Sequence, residues 1–88
     1  LGAVNFPNVD VPVPGEFRRI INIHQNVPGV LGDINSIVSE KGVNIRRQYL
    51  STDQDTGYLI MDMEVDVADK VADEIKKLST SIRTRVVR

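Results

Sequence analysis

The chain has 88 residues, 41% of them apolar, which is the length of one domain and the side chains of one core. Eleven Lys and Arg against twelve Asp and Glu leave a net charge of −1, so no global field draws in nucleic acid or an anionic membrane. Cysteine is absent and His24 is the only histidine, which excludes disulfides, thiolate chemistry and multi-histidine metal sites.

Three of the four prolines, Pro7, Pro12 and Pro14, fall before Gly15, so residues 5–15 are expected to run extended. Residues 1–16 read either as a linker or, because Phe6, Val4, Val9, Val11 and Val13 are apolar, as an arm docked on a neighbouring domain. The folded unit is then 17–88. A start at Leu1 is what a piece of a longer protein shows. No signal-peptide pattern is visible, and no apolar run approaches the roughly 20 residues of a membrane span.

Arg18 to His24 alternates as a strand, with Ile21 and Ile23 on one face and Ile20, Asn22 and His24 on the other. Asn26-Val27-Pro28-Gly29 breaks it and opens a helix, with Asn26 as the expected N-cap and Pro28 in the first turn. Val30, Leu31, Ile34, Ile37 and Val38 make one amphipathic stripe, which Lys41-Gly42 ends. Val43 to Ser51 reads as a second strand, interrupted by Arg46 and Arg47. Asp53 to Gly57 is turn chemistry leading to a third strand, Tyr58 to Val65. There Leu59, Met61, Met63 and Val65 alternate with Tyr58, Ile60, Asp62 and Glu64.

Val67, Ala68, Val71, Ala72, Ile75 and Leu78 recur at helical spacing, with Asp69, Lys70, Asp73, Glu74, Lys76 and Lys77 between them. Residues 79–81 stop this helix, and Ile82, Thr84 and Val86 are expected on the inward face of a last strand. The order β-α-β-β-α-β predicts an α+β, ferredoxin-like sandwich, a four-stranded antiparallel sheet with two helices on one face. The other face is expected to stay open with Ile20, Ile60 and Tyr58 on it, a surface suited to a partner.

The six glycines form neither G-x-G-x-x-G nor G-x-x-x-x-G-K-[ST], so no dinucleotide or phosphate loop is present and no cofactor is expected in this chain. His24 has no serine or cysteine in an elbow motif beside it. Asp53, Asp55, Asp62 and Glu64 read as turn or surface carboxylates, and no catalytic set emerges. RNA-recognition modules share the element order, but the base-stacking aromatics of their first and third strands are missing apart from Tyr58 and the opening Phe17. Arg46, Arg47, Arg83 and Arg85 read as solvated strand faces.

The informative segment is His24-Gln25-Asn26-Val27-Pro28-Gly29-Val30-Leu31, with Asn44 beyond the helix. A strand gives way to a helix there, so unpaired amides face outward and suit a carboxylate. On the residues alone a plainer account stands beside this one: Asn26 caps, Gly29 turns, Asn44 opens a strand and His24 sits in the sheet.

The element order together with N-x-P-G-V-L resembles the ACT family of amino-acid-binding regulatory modules. Residues 5–7 (Asn-Phe-Pro), the string from Ile23 to Leu31, Gly42-Val43-Asn44-Ile45 and Gln48-Tyr49-Leu50 are similar to the C-terminal ends of D-3-phosphoglycerate dehydrogenases. The resemblance covers residues 3–88. It implies pairing with a second copy, L-serine bound at the interface as a feedback inhibitor, and His24, Asn26 and Asn44 as the contacts. A serine zwitterion needs donors for its carboxylate and acceptors for its ammonium. His24 and the amides around Val27 to Val30 are expected to supply the former, Asn26 Oδ1 the latter, and Asn44 is expected to reach the ligand on the other copy. Gln25 stands where related sequences carry an acidic residue. NAD and catalysis then belong to upstream domains of a cytoplasmic enzyme, and neither nucleic acid nor membrane is a partner. The alternatives are a tethering domain without effector, or a response to another amino acid.

Overall fold

The computed structural model describes residues 15–87. The arm expected over residues 1–14 lies outside them. The elements are β1 (Phe17–Gln25), α1 (Val30–Glu40), β2 (Arg47–Thr52), β3 (Thr56–Glu64), α2 (Val65–Lys76) and β4 (Ser81–Val87). They form one four-stranded sheet in the order β2-β3-β1-β4, antiparallel throughout. Right-handed crossovers put both helices on one face, as the element order predicts.

The core lies between helices and sheet. Val30, Ile34 and Val38 of α1 and Ala68, Val71, Ala72 and Ile75 of α2 close on Ile20, Leu59, Met61 and Met63. Full burial of each Val, Ile, Leu or Met side chain contributes roughly 1.5–3 kcal/mol, an upper bound because unfolded chains already hide some surface. Gly42 at φ 65° ends α1, and the amides of Gly42 and Val43 donate to Ser39 O and Val38 O.

Four expectations change. Ile20 pairs with Met61 and is fully buried under the helices, so Ile21 and Ile23 occupy the opposite face with Tyr58 and Ile60. That face is not open throughout, since Ile60, Arg19 and Asp62 on it are buried. The second strand begins at Arg47 rather than Val43, because Val43 and Ile45 pack on the core from a loop. In β4 the register slips, Ile23 facing Arg83 and His24 facing Ser81. Ile82 falls between these pairs and is 55% exposed rather than inward.

Candidate functional site

β1 ends on the helix-covered face with Asn22 and His24, both buried. A polar pair in this position needs partners, and it has them. Asn22 Nδ2 donates to Thr84 Oγ1 at 3.0 Å, and Asn22 Oδ1 meets His24 Nδ1 at 2.9 Å. The imidazole lies over Gly57, where an added Cβ would come within 2.8 Å of Cε1 and 3.0 Å of Cδ2. A glycine inside a strand weakens it, and here its missing side chain is the room the ring occupies. Burial alone pushes the His24 pKa below its ordinary value.

Asn26 does not cap α1. Gly29 takes that place with φ 93° and no side-chain cap, and Asp33 N donates to Gly29 O at 3.0 Å. Pro28 precedes the helix rather than opening it. Asn26 instead joins the β1–α1 loop to the β2–β3 turn. Its Nδ2 donates to Asp53 O at 2.7 Å and its backbone N–H to Asp55 O at 3.0 Å, which leaves its Oδ1 as the accepting end. The turn is braced by bonds of its own. Asp53 Oδ1 accepts from the amides of Thr56 and Asp55 and from the Thr56 hydroxyl, which hold its carboxyl below the usual range.

The Val27 amide is committed to Gln25 O at 2.9 Å, so the donors for a carboxylate narrow to the first amides of α1 from Gly29 to Leu31. Val27, Pro28 and Gly29 are exposed, Leu31 is half-buried and Val30 is buried in the core. Asp62, expected at the surface, is buried against Arg19.

Asn44 stands apart from His24 and Asn26. It lines a groove of about 290 Å³ with Phe17, Ile45, Arg46 and Glu64, and Phe17 pairs with Glu64 at the far end of the sheet. His24 lies seven steps along β1 from Phe17, roughly 23 Å at about 3.3 Å per residue. One small molecule cannot span that within one chain. Asn22, Gly57, Ser81 and Thr84 were not among the expected site residues. A glycine inside a strand and an asparagine alternating with Ile20 and His24 were the signals available.

A family model described as an AHAS small subunit-like ACT domain matches residues 20–83. The chain is an ACT domain. Over 99% of its length this ACT domain is 46% identical to the C-terminal region of the D-3-phosphoglycerate dehydrogenase of Escherichia coli (strain K12), covering 22% of that protein. The Dictyostelium discoideum D-3-phosphoglycerate dehydrogenase is 45% identical over 98% of the chain, which covers 21% of it. The chain thus spans about a fifth of these relatives. In fold it resembles the ACT domain of the Chlorobium tepidum GTP pyrophosphokinase, with a TM-score of 0.72 at 16% identity over 81% of this chain and 96% of that one. The regulatory subunit of aspartate kinase from Thermus thermophilus superposes with a TM-score of 0.65 at 12% identity, over 80% of this chain and 50% of that one.

Proposed function

We propose that this ACT domain is the regulatory end of a D-3-phosphoglycerate dehydrogenase and binds L-serine between two copies of itself. The observation that carries the reading is the separation of His24 and Asn26 from Asn44 at opposite ends of the sheet. A two-fold axis beside the β2 edge turns one copy end for end against the other, so the His24–Asn26 end of each meets the Asn44 end of its partner. Two equivalent sites result, each drawing on both chains. The edge has the character of an interface. β2 pairs on one side only among the described residues, and Leu50 and Val27 near it are 38% and 44% exposed.

A serine zwitterion then meets the first amides of α1 with its carboxylate and Asn26 Oδ1 with its ammonium, while Asn44 of the second copy closes over it. Dehydrogenase chemistry and NAD belong, on this reading, to the rest of a cytoplasmic enzyme. Gly15, Gly29, Gly32, Gly42 and Gly57 stand singly and do not fit a pyrophosphate. Among the described residues no three acidic, histidine or cysteine side chains come together for a metal. No helix among them is long and apolar enough to cross a membrane.

Calorimetric titration with L-serine, alongside sedimentation at micromolar chain, tests the reading. Two sites per pair of chains are expected. A folded chain that pairs yet takes up no serine would leave the tethering role, which the exposed Leu50 on the edge strand β2 favours on its own.

A further inference from the structure

Asn22 is fully buried and hydrogen-bonded at both ends of its carboxamide. Besides Thr84 Oγ1, its Nδ2 reaches Ser81 Oγ at 3.3 Å and Arg83 O at 3.4 Å. The Arg83 carbonyl only accepts, and the Ser81 hydroxyl already donates to Ile75 O at 2.7 Å. The amide nitrogen therefore faces β4 and the oxygen faces His24. That oxygen has only lone pairs, so the hydrogen between them sits on His24 Nδ1. In the neutral ring, Nε2 is left as a lone pair over Gly57, with no hydrogen-bond partner among the described residues.

We propose that Asn22 is a positioning residue of the effector site, fixing His24 as the Nδ1–H tautomer so that Nε2 accepts a hydrogen from the bound amino acid's ammonium or hydroxyl. This rests on the amino-acid reading above and revises one role in it. A carboxylate brings no hydrogen and is repelled by the Nε2 lone pair; it belongs at the α1 amides instead. The ring stays neutral because it is buried without a counter-charge. Toward this end of the sheet the surrounding elements carry Asp53 and Asp55 on the β2–β3 turn, Asp33 in the first turn of α1, Glu74, Lys76 and Lys77 at the end of α2, and Arg83 on β4. Burial is the cause acting on His24, and Asp53 is already engaged by Thr56 and Asp55.

The lone histidine makes the test direct. Nitrogen-15 spectra of the histidine-labelled chain at pH 7.5 should show a protonated Nδ1 and an unprotonated Nε2, and serine should shift Nε2 without protonating it. Serine affinity should be level from pH 7 to 8.5 and fall about tenfold per unit below the ring's pKa. Asn22→Asp, which places a carboxylate beside Nδ1 and favours the charged ring, should move that fall to higher pH. Titration with L-alanine assigns the donor: affinity like that of serine points to the ammonium, and a loss of tenfold or more to the hydroxyl. An Nε2–H ring in the free chain, or affinity falling tenfold per unit above the ring's pKa, overturns the inference while leaving serine binding intact. An Nδ1–H ring in a folded chain that binds no amino acid at any pH overturns the functional reading and the ligand contact with it.

Discussion

Asp62 holds Arg19 with both carboxylate oxygens, Oδ1 to Nε at 2.8 Å and Oδ2 to Nη2 at 2.9 Å. The pair bridges β3 and β1 on the face away from the helices, where both residues are buried, and the contact raises the Arg19 pKa. Two parallel charge-assisted bonds suit a planar guanidinium. Removing one partner strands the other charge, so Asp62→Ala should cost about 3–5 kcal/mol in urea unfolding. A loss below about 1 kcal/mol would show that water reaches the guanidinium.

Gly57 and His24 occupy one space. Gly57→Ala places a methyl group inside the imidazole, and the ring must leave its bond to Asn22 or the strands must part. Overpacking of this kind costs about 1–3 kcal/mol, and serine affinity should fall with it. His24→Ala in the same chain removes the clash. The double variant should therefore unfold at a higher denaturant concentration than simple addition of the two losses gives. Strict additivity would mean that the ring does not lie over Gly57.

The neutral, buried His24 makes the fold sensitive to acid. Its folded pKa lies below its unfolded value, so between the two the unfolded chain binds the extra proton. The contribution is complete above about pH 6.5 and is lost as the pH falls through that window. Melting temperature should drop between pH 7 and pH 5, and His24→Gln should flatten the slope. Asp53 and Glu74 act in the same direction, in a lower window. Both are depressed, so their stabilisation is present above their unfolded values and fades as pH falls through the folded ones, under roughly pH 4.

The shared site makes complementation a sharp measurement. Asn26→Ala and Asn44→Ala should each weaken serine binding by about 1–3 kcal/mol, roughly 5- to 150-fold. In a pair formed from one chain of each kind, both lesions fall in one site and the other site is whole. Mixing the two variants should thus restore one tight site per mixed pair. If the mixture binds no better than its components, each site draws on a single chain.

How far the residues could be read depended on what each pattern reports. The alternation of β3 and the stripes of α1 and α2 record burial on one face, and they gave the element order correctly, although Val65, expected to close β3, opens α2. Val43 and Ile45 misled because a loop packed on a core carries the same apolar side chains as a strand. Asn26 has a capping residue's chemistry, and its true side-chain partner, Asp53 on the β2–β3 turn, lies 27 residues away in the chain. Asp62 reads as solvent-facing until Arg19 is set opposite it, a relation only register supplies. The expected site residues His24 and Asn26 share one end of the sheet, but the distance to Asn44 became visible only once Phe17 and Glu64 were paired.

The slip between β1 and β4 has a consequence for inheritance. Ser81 stands opposite His24 only because Ile82 is looped out of the ladder. Removing the codon for Ile82 would draw β4 into regular alternation, with Ser81 still opposite His24 and its hydroxyl still available to Asn22. Removing Thr84 instead would slide Arg83 into the inward position that Thr84 holds. Copies of this domain that differ by one residue in β4 should carry the gap at Ile82, where a change of length leaves the polar line under the helices intact.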